Sequence, residues 1–417
     1  MAIDAASPPT VSVPEPDLTA DEFIRRADAL RPLLREQQDA AEERGYYSEE
    51  VHQAFLKAGF YRALQPRRFG GYAFDLPTFF KMVIAVSRGC PSTGWCMCLS
   101  SAHVLQIGSY WSEEAQAELI GPEGDFRAPH RAAPAGTAKR VDGGWLINGL
   151  WDYCSGVPYS THFMGTCIAQ EEGHSGPPRM VVAVVPKGGY HMLDDWGNTI
   201  LGMRGSGSNS VQVKDAFIPH HYVEDFNWMM LPSTTGTLGT RLHGNPLYIG
   251  FVVSFYHAEL VAIMVGAAKA ALDEYEHIIR TRTTFGAHPT PRFQTQEYQQ
   301  TFGLAMGMVD AAEAIVLHAS ELWMAYAARA VAGNGPFTQE EDLRLYAAIQ
   351  NAGRLAWEAT ELLFRTGGSS AAKNGQRLQR YFRDLAVYRG HMSAQFLTTA
   401  PGLARVHFGL PNPAFGA

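Results

Sequence analysis

Charge and cysteine are both scarce in this sequence. Only 18% of its 417 residues are Asp, Glu, Lys or Arg, the formal net charge is -7, and Lys and Arg form no run. The electrostatic footprint of a nucleic-acid surface is therefore missing. Cys90, Cys96, Cys98, Cys154 and Cys167 are odd in number and lack the paired CxxC spacing of zinc or dithiol sites, which predicts reduced thiols, no metal and a cytoplasmic protein. The opening MAIDAASPP lacks the basic-then-apolar order of a secretory signal. The nearest thing to a membrane span, Tyr248 to Ala268, carries His257 and Glu259 where polar groups are costly in lipid, so a buried core helix is expected. No internal repeat is present. The glycine-rich Gly202–Ser208 run does not fit GxGxxG and has no strand-to-helix unit around it, so no nicotinamide site is expected.

What is present is ordinary globular composition, 46% hydrophobic, in a chain long enough for two or three domains. Residues 1–18 are Pro-rich and polar and read as a flexible tail. Residues 19–125 read as an α-helical domain, with Thr19-x-x-Glu22 as a capping box and Ser48, Ser92 and Ser112 as N-caps. Over 126–235 the pattern changes to short apolar runs such as Trp145-Leu146-Ile147 and Met180 to Val185, broken by Gly, Pro and Asn, which predicts a β domain. Residues 236–417 follow a Gly/Thr/Pro-rich link at 232–246 and show helical periodicity over 248–281, 295–333, 338–365 and 376–397. They predict an antiparallel four-helix bundle and a tail, with oligomer contacts on the bundle's exposed faces. The fold class is α+β.

The densest stretch is Val141–Gly156, VDGGWLINGLWDYCSG. Asp142-Gly143 is a two-residue hairpin signal. Alternation along the second strand puts Trp151, Tyr153 and Ser155 on one face, a hydroxyl among rings; a half-buried strand of no special role has the same pattern. His103 follows Leu99 by four residues and Trp95 by eight, on the apolar stripe of its helix, where a core histidine satisfied by its neighbours is the plain reading.

Several ordered motifs resemble the acyl-CoA dehydrogenase superfamily over nearly the whole chain. They are Ile147-Asn148-Gly149 followed by Tyr153 and Ser155, Gly202-Met203-Arg204-Gly205-Ser206-Gly207-Ser208 before Phe217-Ile218-Pro219, Arg282-Thr283-Thr284-Phe285-Gly286 with Phe293-Gln294, Gly367-Gly368, and Arg383-Asp384. Within the superfamily, Pro91-Ser92-Thr93-Gly94-Trp95 leading to His103, Cys154-Ser155-Gly156, His391 seven residues after Asp384, and the ending Phe408-Gly409-Leu410-Pro411 are similar to the oxygenase components of two-component flavin-dependent monooxygenases. The resemblance implies an N-terminal α domain, a central β-barrel or sandwich and a C-terminal four-helix bundle, assembled as a homotetramer. It also implies reduced FMN or FAD from a separate flavin reductase, and O2 adding to form a flavin C4a-(hydro)peroxide that hydroxylates a small aromatic or phenolic substrate.

Residue by residue, the resemblance puts Ser155 at flavin N5, Tyr153 over the ring with Trp151 either beside it or in the core, and His103 and His391 jointly in peroxide stabilisation and substrate deprotonation. Arg282 matches an arginine that meets the flavin phosphates from a neighbouring subunit, although a helix-end arginine reads the same way. Phe285 packs on the cofactor, and Gly367-Gly368 approaches its distal end or forms a left-handed cap. Two departures stand out. Where dehydrogenases carry a carboxylate base, this chain has Tyr388-Arg389-Gly390-His391-Met392, and Glu259, near a second family position for the base, is about a turn out of register. The alternatives are an acyl-CoA dehydrogenase-like flavin oxidoreductase acting on a thioester, or a non-catalytic scaffold. The serine cluster common after Arg127 is replaced by Ala128-Pro129-His130-Arg131-Ala132-Ala133-Pro134, where His130 or Arg131 substitutes and an anionic substrate is one reading.

Overall fold

The structure, a computed structural model, describes residues 11–171, 173 and 176–412. Seven α-helices precede the sheet: α1 (Ala20–Glu36), α2 (Gln38–Arg44), α3 (Glu49–Ala58), α4 (Leu76–Gly89), α5 (Pro91–Ser101), α6 (Val104–Tyr110) and α7 (Glu113–Ile120). Their starts follow from local hydrogen bonding. Thr19, Ser48 and Ser112 accept from the backbone N–H three residues on, at 3.2, 3.3 and 3.1 Å, satisfying donors that the helix leaves without partners. Ser92 is not a cap: α5 begins one residue earlier, at Pro91 after Cys90, because proline's missing N–H suits the first helical turn. Of the tail expected at 1–18, residues 1–10 lie outside the described residues, and the rest is held down. Val11 bridges Phe69, and Glu15 pairs with Arg26 at 2.7 Å.

The sheet follows, with β1 (His130–Val141), β2 (Gly144–Trp151), β3 (His162–Gln170), β4 (Met180–Pro186), β5 (His191–Met192), β6 (Val211–Pro219) and β7 (Val223–Asp225). Its strand order is β5-β6-β2-β1-β3-β4-β7. Only β1 and β3 run parallel among the paired strands described. Period-two alternation divides it between two cores. Phe163, Val181, Ala183 and Val185 pack with Trp145, Ile147 and Trp151, while Met164, Val182 and Val184 join the helical core. The hairpin pairs Val141 with Gly144, so its turn is Asp142-Gly143 as expected; only Gly143, at φ 77°, occupies the left-handed region.

The predicted common face of Trp151, Tyr153 and Ser155 does not form. Trp151 ends β2 and is fully buried in the sheet's own core, donating its indole N–H to the Thr166 carbonyl at 3.0 Å. The chain then reverses through Tyr153, at φ 53°, and alternation ends with the strand.

After the sheet come α8 (Asn227–Met230), α9 (Leu238–His243), α10 (Val253–Thr281), α11 (Gln296–Val331), α12 (Gln339–Thr366), α13 (Arg377–Arg389) and α14 (Phe396–His407). α10 is the axis of the bundle, touching α4, α11, α12 and α13, and 78% of its most apolar stretch is buried in the fold. The periodic segment 376–397 is two helices rather than one. α13 stops at Arg389, and the side chain of His391 accepts from the Ser393 N–H to start a new turn.

α13 also anchors the 202–208 loop. Asp384, fully buried, accepts the Met203 N–H at 2.6 Å, and a Cβ on Gly202 would stand 2.2 Å from the Arg383 carbonyl oxygen. Gly202→Ala is therefore expected to cost about 1–3 kcal/mol, read as a lower urea midpoint at unchanged slope; an unaltered midpoint would show that the loop can move aside.

Candidate active site

Three predicted site residues border one helix, α5. Gly156 is the contact that makes this so. At φ 94° its absent Cβ would fall 2.8 Å from the Cys96 carbonyl oxygen and the Ser100 nitrogen, so only glycine lets the turn after β2 lie on the helix. Ser155 is seated there by its neighbour. Near the start of α5 the Trp95 ring meets His391 edge-on at 6.2 Å, and His103 lies in the turn just after α5. Trp95 to His103 spans roughly 12 Å at the helical rise.

Ser155 Oγ lies 2.7 Å from Ser208 Oγ, which lies 2.7 Å from Ser206 Oγ, so Ser208 can donate to one neighbour and accept from the other, leaving Ser155 free to take either role. Beside this chain Tyr153 is 57% exposed despite its aromatic ring, and meets the half-buried Trp196 edge-on at 5.4 Å. An aromatic residue with positive φ is strained, and such strain gathers at functional sites. A hydroxyl of either polarity next to two uncovered rings fits the edge of a flavin ring. Tyr153 and Ser155 can hold it. Trp151 cannot, because its ring is sealed inside the sheet. Trp196 was not singled out in the sequence, where it is one tryptophan in an Asp- and Gly-rich loop.

His103 is buried, with Nδ1 2.7 Å from the Ala128 carbonyl oxygen. A carbonyl only accepts, so Nδ1 carries the proton and Nε2 keeps its lone pair. That lone pair is 4.0 Å from Glu259 Oε1, reaching in from α10. Burial pushes the histidine down to about 4 and the carboxyl well above its ordinary range, so both are neutral and no ion pair forms. His130, by contrast, turns its Nδ1 to the Tyr256 hydroxyl at 2.8 Å and packs edge-on against the His103 ring at 5.6 Å. Arg131 points elsewhere, pairing with Asp152 at 3.0 Å. Glu259 and Tyr256 lie more than 150 residues from His103, and no local pattern signals that they meet it.

His391 has the opposite tautomer. It is not on a helix, as the sequence suggested, but in the turn after α13, exposed in the single chain. The Ser393 backbone N–H donates to its Nδ1 at 3.1 Å, so that nitrogen is the acceptor and Nε2 carries the proton. The Ser393 hydroxyl also lies 3.0 Å from this Nδ1 and 2.6 Å from Nδ1 of His257. One arrangement satisfies every contact: His257 donates to Ser393, and Ser393 donates to His391. Although the residue as a whole is exposed, desolvation of its imidazole, then the charge of Arg131, lower the pKa of His391.

Arg282, Phe285, Gly367 and Gly368 gather elsewhere. Arg282 ends α10 and donates to the Ser370 hydroxyl, while Arg292 donates to the Gly367 carbonyl at 3.3 Å. Gly368 has φ 90° but ψ 158°, and Gly367 is right-handed, so the helix end here is not a left-handed cap. Phe285 is fully exposed. Among the described residues no hydrogen bond or ring contact joins this group to Ser155, His103 or His391.

The buried histidines set an acid limit on stability. His103, held down to about 4, has an unfolded value of about 6.5. Between these values the unfolded chain binds more protons, so its contribution is full above about 6.5 and is lost as pH falls through about 4. His52, His162 and His243 are lowered to about 4 in the same way, chiefly by burial. Unfolding free energy is expected to fall steeply from pH 6.5 to 4, and His103→Gln to flatten that fall by about 3 kcal/mol, measured by urea titrations across the range. Parallel curves for the two proteins would contradict the neutral, buried histidine.

Residues 258–396 match the family described as Acyl-CoA dehydrogenase, C-terminal domain. A pigment production hydroxylase of a Rhodococcus species is 29% identical over 401 residues, covering 95% of this chain and 98% of that protein. The oxygenase subunit HsaA, a flavin-dependent monooxygenase of Rhodococcus jostii, is 29% identical over 378 residues, 88% and 93% of the two chains. The crystal structure of 3-HSA hydroxylase from Rhodococcus sp. RHA1 superposes with a TM-score of 0.84 at 29% identity, over 94% of this chain and 97% of that one. With the α, β, α order and the Ser155 turn on α5, the chain is similar over most of its length to flavin-dependent monooxygenases and hydroxylases, and its residues 258–396 match the Acyl-CoA dehydrogenase C-terminal domain.

Proposed function

We propose that this protein is the oxygenase component of a two-component monooxygenase, using reduced FMN or FAD from a separate reductase and O2 to hydroxylate a small aromatic substrate. The observation that carries the reading is the pair of histidines with opposite, backbone-determined tautomers bordering the helix on which Ser155 sits. Bound reduced flavin supplies the electrons with which one oxygen atom enters the ring and the other leaves as water. The protein supplies orientation and protons. Ser155 offers a hydroxyl at the flavin edge, oriented by Ser208 and Ser206. His103 presents an unprotonated Nε2 that accepts a substrate proton; His391 presents a protonated Nε2 that donates. This divides the roles that the sequence left shared. Trp95 and Tyr153 help exclude water, which would otherwise quench the reaction.

The likeness to an oxygenase subunit supports a separate reductase. Arg282, Phe285, Gly367 and Gly368 we assign to the distal end of the flavin bound by another subunit, in keeping with the full exposure of Phe285. The five cysteines are free and buried, which supports a reducing compartment, the cytoplasm.

A homotetramer is supported by α11. Only 28% of its most apolar stretch is buried, and its open face carries Gly303, Leu304, Met306 and Gly307. No atom lies within 4 Å of a Cβ built on Gly307. Gly307→Arg is therefore expected to leave helix content by circular dichroism unchanged while lowering the sedimenting mass; an unchanged mass would put the interface elsewhere.

Oxygen coupling tests the reaction. In Ser155→Ala, His103→Ala and His391→Ala, product formed per oxygen consumed is expected to fall by about tenfold to a hundredfold, typical of lost acid, base or donor groups, with hydrogen peroxide released instead. Undiminished coupling in all three variants would remove the site from α5.

A further inference from the structure

Glu259 is the one fully buried carboxyl beside the two histidines, and no step above uses it. It is 2% exposed, its Oε2 has no hydrogen-bond partner, and its Oε1 stops 4.0 Å short of His103 Nε2. His130 Nε2, on the neighbouring ring, is likewise buried without a partner. Orphaned buried polar atoms are rare and costly, and here two of them adjoin a base whose lone pair is also unmet.

The gap has a definite size. It is too long for a hydrogen bond between the carboxyl and the imidazole, yet an oxygen about 2.8 Å from each fits between them as the apex of a triangle on the 4.0 Å base. We propose that this slot binds the hydroxyl of a neutral phenolic substrate, which donates its proton to His103 Nε2 while accepting one from Glu259, so that Glu259 is a substrate-binding residue that selects phenols over arenes lacking the hydroxyl. The inference rests on the reaction proposed above and deepens it by naming the substrate's polar group.

Three further observations agree. Burial holds Glu259 in its acid form, the form that can donate to the phenolic oxygen. The neighbouring titratable groups are uncharged too: the Cys98 thiol and the Tyr256 phenol are both held protonated, chiefly by burial. Arg131, the cation whose charge reaches His130 and His391, is paired with Asp152, so the anionic substrate suggested by the sequence would have to compete with that carboxylate. The proton transfer balances without another reactant: the phenolic O–H bond breaks, the proton goes to Nε2, and the electron pair left on oxygen is stabilised by the Glu259 O–H and the new imidazolium.

Flavin-free protein tests this apart from oxygenation. Calorimetry is run with 2-naphthol and 2-methoxynaphthalene on wild type, Glu259→Gln, which keeps a donor, and Glu259→Leu, which does not. Wild type and Glu259→Gln are expected to prefer the naphthol by roughly tenfold or more, and Glu259→Leu to lose the preference while still binding the ether. The infrared difference between wild type and Glu259→Gln should contain a carboxylic-acid carbonyl band that shifts on adding naphthol. Equal affinity of wild type for the two compounds, no saturable naphthol binding, a preference retained in Glu259→Leu, or a carboxylate band in place of the acid would each overturn the proposal. None of these outcomes depends on flavin or oxygen, so failed coupling in the loaded enzyme remains a separate result.

Discussion

The structure depends on a close approach of backbone to backbone: the turn that carries Ser155 lies directly on α5, and only the missing side chain of Gly156 allows it. The contact joins the β domain to the N-terminal helices where Trp95 and His103 are presented. Gly207 extends it from the other side, with space for no Cβ between Pro158 and the Cys96 thiol. Domains usually meet through side chains that tolerate repacking. Here main chain meets main chain, and small displacements have nowhere to go.

A second constraint is that polar groups are buried in neutral form. His103 and Glu259 face each other across a gap that a salt bridge would close, but desolvation outweighs their attraction and leaves base and acid uncharged. Further round the site, His257, Ser393 and His391 form a chain whose direction is set by one backbone N–H. Histidines of equal intrinsic basicity thereby differ in what they offer, one a lone pair and the other a proton. Backbone carbonyls and amides make the difference, and they cannot titrate.

The departures from the family pattern form a coherent set. Where the resemblance read from the sequence implies serines after Arg127, His130 turns to Tyr256, and Arg131 is tied to Asp152. The position where a dehydrogenase base would stand holds His391 as a donor. Glu259, near the second family position for that base, is buried against His103. The polar inventory has moved rather than diminished, and it favours handling a hydroxyl over removing a proton from carbon.

The sequence by itself determined what depends on neighbours along the chain: the caps at Thr19, Ser48 and Ser112, the Asp142-Gly143 hairpin, the succession of helical and strand periodicity, and the candidacy of Ser155 and His103. These rest on hydrogen bonds and side-chain repeats that close within a few residues. Alternation misled after Trp151, because the strand ended there, two residues before Tyr153 reversed the chain, and periodicity ran through Gly390, where the helix in fact stops. Only the tertiary structure decided that Glu259 meets His103, that His391 leans on Ser393 and His257, and that Arg282 meets Ser370. Such meetings join segments far apart in sequence, and their geometry is set by the packing of whole helices on a sheet, which no local pattern encodes.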